Sequence, residues 1–506
     1  MFDSLPSVLE NLGNGLLAAA KPENLLFGFI GVFLGNAIGV LPGLGPAVAI
    51  SVLLPLTFGL DPLSALIMFA GIYSGSMYGG SITSILVNTP GDSSSAVTTF
   101  DGHPMAKNGR AGAALLTSML GSFVGGTFAV VVLMLVAPAI ANVSLLFGPT
   151  EYFSLMLLAL IMVSTIGGNS MAKSIFSVAL GIMIAMIGID MQSGVERMTF
   201  GIPELFSGID VVLAGIGLFA VGEALWVASG GDDTTTPLSK IKTKLGMTAE
   251  EWKRSIGSWV RGTMVGFSLG TLPGTGGTLS SFMAYGIEKR ISKTPEKFGQ
   301  GMIEGVGGPE AANNASAGAS MIPLLSLGIP GSATTAVMLV AFQIYGLQPG
   351  PLLFENNPEL VWGLIASLYI GNILLLILNV PLIGLWTKLL EVPQVLLSTA
   401  VLVFAAIGAY SIKGSVSDIL IVFILGVLAF TLRFFKFPIA PVLLGVVLGP
   451  MIEQEFRRAL SISGGDYSIF VTRPMTLVLL FLSLLLVFVP LIMAKRKIPR
   501  LADEND

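Results

Sequence analysis

Residues 360–386 read LVWGLIASLYIGNILLLILNVPLIGLW, a run with no charged residue. About 20 apolar residues in a helix cross the hydrocarbon core of a bilayer. Comparable runs recur at 121–140, 174–189 and 475–494. Lipid offers no partner to a bare backbone group, so only helices and closed barrels can span it. Barrel strands alternate apolar and polar residues, and these runs do not. The chain is 53% hydrophobic and 11% charged, whereas a soluble domain carries about a quarter charged residues. The expected fold is an all-α polytopic membrane protein.

Several function classes fall away at once. The chain has no cysteine, which excludes disulfides and thiolate metal sites. Its one histidine, His103, sits in the polar stretch FDGHPMAKNG and reads as a solvated turn residue. A net charge of -4 gives no nucleic-acid signal. No Walker A pattern and no dinucleotide fingerprint after a strand occur, so the chain is not expected to use ATP itself. The N-terminus lacks a basic region followed by an apolar core, so no cleaved signal peptide is expected.

The breaks in the apolar runs carry more information. VNTPGDSSSAV (87–97) and LGIPGSATTAV (327–337) share a Pro-Gly knot, then hydroxyl residues, then Ala-Val. GVLPGLGPAVA (39–49) resembles GTLPGTGGTLS (270–280). Pro138 closes an apolar run much as Pro381 does, and TIGGNS (165–170) answers AIGAYS (406–411). Landmarks that keep their order and nearly their spacing indicate two copies of one unit, with about nine residues inserted early in the second. The expected organisation is a first repeat at 1–229, a cytoplasmic linker at 230–255, a second repeat at 256–473, and a final helix with a basic tail at 474–506. A short surface helix is expected near Thr248 to Arg254.

Orientation follows from Lys and Arg in short loops. The linker holds Lys240, Lys242, Lys244, Lys253 and Arg254, and the tail holds Lys495, Arg496, Lys497 and Arg500. Both are expected in the cytoplasm, with the N-terminus outside. Lys107 and Arg110 follow the first Pro-Gly knot, and the matching loop of the second half has no cation before Leu360. Lys289, Arg290, Lys293 and Lys297 follow the second LPGTGG unit, and the matching FGLDPLS has none. A basic loop facing a neutral counterpart marks inverted-topology repeats. The expectation is about 11 spans plus two half-helix pairs, each LPGxG unit being a broken or re-entrant helix. Lys413, Arg457, Arg458 and Arg473 fall on the wrong side of this map.

Proline removes a helix hydrogen bond and glycine admits turns closed to other residues, so each knot stops a helix at membrane depth. Broken helices at matching places in two inverted halves point to a transport site. The helix starting after each break exposes free N–H groups and partial positive charge, which suits carboxylates without needing Lys or Arg. The candidate substrate residues are therefore Pro42, Gly43, Gly45, Asn88, Pro90, Gly91, Asp92, Ser93, Pro273, Gly274, Thr275, Gly276, Pro330, Gly331, Ser332 and Thr334. A second candidate patch lies in GGPEAANNASAGAS (307–320). There Glu310, Asn313 and Asn314 share a helical face, with Tyr73 and Ser74 at the positions equivalent to the two asparagines. Such oxygens inside a membrane suit Na⁺ or a proton. No other cofactor is expected, and Glu223 reads as an interfacial residue near a helix end.

These motifs carry a resemblance. The stretch 39–115, together with GTLPGTGG, GPEAANNASAGASMIPLLSLGIPGSATTAV and SGGDYSIFVTRP, resembles the large membrane subunit of tripartite tricarboxylate transporters. The resemblance covers nearly the whole chain. It implies a secondary transporter of a bacterial inner membrane that takes up citrate-like di- or tricarboxylates on a cation gradient. It also implies a small four-helix membrane subunit, a periplasmic solute-binding protein and an elevator-like motion. A channel, or a transporter for another small organic anion, is the alternative reading. An intramembrane enzyme would need a nucleophile–base pair or metal ligands at depth, which a chain with one histidine and no cysteine hardly supplies.

Overall fold

The computed structural model describes residues 5–41, 44–166, 170–190, 192–230, 246–389 and 392–495. Pro42, Gly43, Lys240, Lys242, Lys244, Arg496, Lys497 and Arg500 lie outside the described residues, as does part of TIGGNS. The first part of the chain forms α1 (Leu5–Ala19), α2 (Pro22–Val40), α3 (Pro46–Leu53), α4 (Pro62–Val87), α5 (Thr98–Met105), α6 (Ala111–Ser144), α7 (Pro149–Ile166), α8 (Met171–Ala185), α9 (Val211–Gly215) and α10 (Gly222–Ala228). The second part forms α11 (Ala249–Gly270), α12 (Gly276–Ile291), α13 (Glu304–Ala319), α14 (Met321–Leu327), α15 (Ala333–Ile344), α16 (Pro351–Asn356), α17 (Pro358–Leu389), α18 (Gln394–Lys413), α19 (Val416–Phe434), α20 (Ala440–Ile462), α21 (Ile469–Thr472) and α22 (Pro474–Lys495). Among the described residues, strand occurs only as the short hairpin pairing Gly188–Ile189 with Glu196–Arg197. Six helices among the described residues are long and apolar enough to cross a bilayer by length and composition, and five shorter apolar helices accompany them. The chain is a multi-pass membrane protein.

Glycine rows decide how the helices pack. Gly31, Gly35 and Gly39 of α2 lie on Met68, Ile72 and Ser76 of α4, so closely that a Cβ on any of the three would overlap a backbone carbonyl. Gly262, Gly266 and Gly270 of α11 lie in the same way on Gly308, Ala312 and Ser316 of α13. The two rows sit at a constant offset of 231 residues, and their partners at 240. In lipid there is little hydrophobic drive between helices, so close backbone approach at small residues supplies the packing.

Both contacts rise together along the chain, so α2 runs parallel to α4, and α11 to α13. The Ser64 hydroxyl, near the start of α4, donates to Asn24 Oδ1, near the start of α2, at 2.6 Å. The chain therefore doubles back through α3 and the turn Leu54–Thr57 before α4 begins. Likewise α12 returns until Glu288 meets Arg261 of α11 at 2.7 Å.

Some expectations need correction. His103 is not a solvated turn residue. It lies in α5, is 7% exposed, and its Nδ1 is 3.2 Å from the Ile85 carbonyl. Its polar neighbours are the end of a broken helix folded back onto α4. The short surface helix expected at Thr248 to Arg254 is instead the first turns of α11. Thr248 caps α11, its hydroxyl accepting from the Glu251 N–H while Glu251 accepts from the Thr248 N–H, so the helix starts cleanly and runs on to Gly270. Pro138 and Pro381, which close matching apolar runs, lie inside helices that continue past them, α6 and α17. Packed neighbours can support a helix across the hydrogen bond that proline removes.

Ion pairs mark two faces. On one, Arg110 pairs with Glu251, Arg254 with Glu304 and Arg261 with Glu288. The basic loops of both halves thus lie together. The four cations that defied the orientation map are each paired with an acid. Lys413 meets Asp210, Arg457 meets Asp190 and Glu453, Arg458 meets Glu455, and Arg473 meets Glu151. Hydrogen bonds from Ser193 and Arg197 hold the Asp190 carboxyl well below the usual carboxylate range. Glu223 is half-buried at the foot of α10, paired with Arg433, whose guanidinium lies 4.6 Å from the Trp226 ring.

Candidate functional site

The two Pro-Gly knots fold alike. Asn88 ends α4 in the left-handed region, at φ 59°, and Gly328 ends α14 at φ 70°. Gly91 then slides beneath the Gly39 carbonyl, where any side chain would collide. Asp92 caps the next turn, with the Ser95 N–H donating to its carboxylate at 3.1 Å and the Ser94 hydroxyl at 2.8 Å. In the second knot Ser332 does the same for α15. The Thr335 N–H donates to its hydroxyl at 3.2 Å, and its own N–H donates to Thr335 Oγ1 at 2.8 Å. One helix start thus carries a carboxylate and the other only hydroxyls.

The four breaks converge. Gly45, the cap of α3, lies against Asp92, since a Cβ there would stand 3.7 Å from the Asp92 Cβ. The Ser93 and Thr278 hydroxyls share a hydrogen bond of 2.9 Å across the halves. The Gly274 N–H donates to the Gly331 carbonyl at 2.9 Å. Gly274 and Gly276 hold φ of 85° and 58°, the left-handed region that favours glycine. Thr275 is mostly spent locally, its hydroxyl donating to the Leu269 and Leu272 carbonyls. Pro90 is half-buried between Asn88 and Gly91, Pro273 and Pro330 lie in the two second-half breaks, and Thr334 is buried on α15.

The α13 residues sit beside this convergence. Glu310 is fully buried; Oε1 accepts from the Thr98 hydroxyl of α5, and Oε2 has no hydrogen-bond partner. Asn313 is fully buried one turn on, with neither side-chain atom partnered. A Cβ on Gly277, in the first turn of α12, would stand 2.5 Å from Asn313 Oδ1. Asn314 differs: its Nδ2 donates to the Glu310 backbone carbonyl at 3.2 Å. Tyr73 does not join Glu310. Its hydroxyl meets Ser320 at 3.3 Å, beside Gly331 in the second knot. Ser74 is half-buried on α4. Leaving a buried polar group unpartnered costs about 1–3 kcal/mol, and native structures rarely do so without a reason.

Several residues here were not singled out from sequence. Thr98, Ser122, Gly277 and Thr278 reach the site only through tertiary packing. Asn36, fully buried on α2 with both side-chain atoms unpartnered, could have been flagged as an amide within an apolar run. Asp101 could not have been. Its carboxylate accepts from the N–H groups of Gly299, Gly301 and Met302 at 2.9, 2.8 and 2.7 Å and from the Tyr285 hydroxyl at 2.9 Å.

Asn88 is exposed and its backbone conformation accounts for its identity. Asn88→Gly should leave thermal stability within about 0.5 kcal/mol. Asn88→Val should cost about 1–2 kcal/mol, since a β-branched residue resists positive φ. A lowered substrate affinity in a fully stable Asn88→Gly protein would give the side chain a binding role beyond its cap.

Comparison with known proteins bears on this arrangement. Residues 25–444 match the family described as "Tripartite tricarboxylate transporter TctA family". A protein of Agrobacterium vitis named "Uncharacterized 52.8 kDa protein in TAR-I ttuC' 3'region" is 46% identical over 485 residues, covering 96% of each chain. A second protein of the same organism, "Uncharacterized protein in TAR-II ttuC' 3'region", is 49% identical over 234 residues, covering 46% of this chain and 97% of its own. No solved structure matches. The family is one of transporters, not enzymes, and works in a system with a small membrane subunit and a periplasmic binding protein. A multi-pass helical chain whose helix breaks meet beside a buried acid, and which matches that family from residue 25 to residue 444, belongs to the tripartite tricarboxylate transporter TctA family.

Proposed function

We propose that this chain is the transport subunit of a cation-coupled secondary transporter for citrate-like di- and tricarboxylates, delivered by the periplasmic binding protein. One observation carries the reading. Four helix breaks from two halves meet at one place, next to the buried Asn313 amide and one buried carboxyl oxygen, Glu310 Oε2, that lack partners. Helix starts supply N–H groups and partial positive charge for carboxylates. Asp92 already places a negative charge at its own start. The substrate carboxylates therefore belong at the neutral starts of α12 and α15, near Thr278, Ser332 and Thr334. Glu310 and Asn313 are left for the cation.

Inverted repeats are the arrangement that accounts for the helix directions. α4 ends near His103 and Arg110, on the face where α11 and α13 begin. With the basic loops inside, the LPGxG breaks become the tips of re-entrant hairpins, the C-terminus lies in the cytoplasm of a bacterial inner membrane, and the binding protein docks on the opposite side. Movement of the joined breaks as one body past a fixed scaffold gives alternating access of the elevator kind.

The test is uptake of radiolabelled citrate and other di- and tricarboxylates into proteoliposomes holding this chain with its small subunit. The binding protein is added outside, with and without an inward cation gradient. Accumulation above the outside concentration, lost when the gradient is dissipated, is expected. Uptake that merely equilibrates would mark a channel and overturn the reading.

A further inference from the structure

Resting on the carboxylate-transport reading above, we infer that Asn313 couples the two ligands directly, its carbonyl end taking the cation together with Glu310 and its NH₂ end taking a substrate carboxylate. The side chain is fully buried and neither end has a partner. An amide carries an acceptor oxygen and a donor nitrogen on one carbon, about 120° apart in a single plane, so a single residue can face a cation and an anion at once. Asn313 lies three residues beyond Glu310, on the same face of α13. There Glu310 Oε2 is unpartnered, and the Ser81 and Ser122 hydroxyls lie near the same carboxyl, with the Ser122 oxygen also unpartnered. Carboxylate and hydroxyl oxygens with an amide carbonyl form a donor set for a hard cation, and Na⁺ is the ion it would hold.

Asn313 also faces the first turn of α12. Gly277 there has no side chain to intervene, and a single methyl would collide with the amide oxygen at 2.5 Å. This is the neutral helix start assigned to substrate, where the Thr278 hydroxyl also shares a hydrogen bond with Ser93. Rotation by half a turn about χ2 exchanges the two ends of the amide at no steric cost. A bound cation at Glu310 fixes the carbonyl toward itself and so turns the NH₂ toward α12. Asn314 cannot do this, because its NH₂ is held by the Glu310 carbonyl.

The experiment uses the chain assembled with its small subunit and follows two readouts. The first is the Na⁺-dependent rise in melting temperature without substrate, against a choline control. The second is citrate uptake. Wild type should show both, and Glu310→Gln should lose the Na⁺ shift. Asn313→Ala should lose both. Asn313→Asp keeps an oxygen for the cation but loses the NH₂, so it should keep the Na⁺ shift while citrate affinity falls at least about tenfold, the loss of one hydrogen bond to a charged group. If Asn313→Asp fails to fold, the paired loss of shift and uptake in Asn313→Ala carries the test. Normal citrate uptake with Asn313→Asp or Asn313→Ala overturns the bridge alone, as does an Na⁺ shift retained by Asn313→Ala or absent from wild type. A wild-type protein that shows the shift but takes up no di- or tricarboxylate overturns the carboxylate reading instead.

Discussion

Gly266→Val is expected to abolish a folded, detergent-stable protein, whereas Gly286→Ala should melt at or above the parent temperature. A Cβ on Gly266 would overlap the Ala312 carbonyl, and its other near neighbours are Ala312 backbone atoms. Backbone cannot rotate away as a long side chain can, so α11 and α13 must part. Overpacking a well-filled site costs about 1–3 kcal/mol and more when backbone is the obstacle, and this contact sits in the middle of the three-glycine row that holds the pair together. Gly286 lies in α12 with open space around its Cβ position and no unusual φ. There alanine only raises helix propensity, by about 1 kcal/mol. Gly35→Val should fail as Gly266→Val does, because Gly35 stands on Ile72 in the equivalent place. Thermal size-exclusion profiles of the three variants decide the matter. A normal melting temperature for Gly266→Val would mean that the helices do not touch backbone to backbone.

Asp101→Ala should cost about 2–4 kcal/mol and free the segment just before α13. Asp101 is fully buried and gathers three backbone N–H groups from Gly299, Gly301 and Met302 on one oxygen and the Tyr285 hydroxyl on the other. Hydrogen bonds to a charged group are worth about 1.5–3 kcal/mol. Removing the acceptor leaves Met302 N–H buried, while water can reach exposed Gly299. Asp101→Asn keeps a carbonyl acceptor and should lose only part of the stability. Amide exchange at Gly301 and Met302 should quicken about 100-fold in the alanine variant and much less in the asparagine variant. Uptake should fall with it, since the clamp joins α5, which carries Thr98, to the entry of α13, which carries Glu310. Unchanged exchange in Asp101→Ala would show that the segment is held by other contacts.

The candidate site was only partly legible in the sequence. The Pro-Gly knots announced themselves, because nothing else stops an apolar helix so abruptly. Their hydroxyl residues turned out to divide their labour. Ser332 and Ser94 serve local caps, while Ser93 reaches Thr278, 185 positions away. Asn88 reads like a ligand in sequence, but a left-handed helix end explains it. Tyr73 occupies the repeat-equivalent position of Asn313, yet its hydroxyl has a partner and the Asn313 amide has none. Equivalence in a repeat transmits backbone position. It does not transmit side-chain chemistry.

What the sequence determined by itself is whatever depends on neighbours along the chain. Twenty apolar residues must be helix in lipid, a Pro-Gly pair must interrupt it, and capping residues after the break must start another. What the tertiary structure decided is whatever depends on residues far apart. It set α2 on α4 and α11 on α13 through glycine rows, placed Asp101 under a distant loop, and put Gly277 against Asn313. A glycine in sequence is only an absence of side chain. Its meaning comes from what fills the space, and here that is another backbone or the unpartnered amide of Asn313.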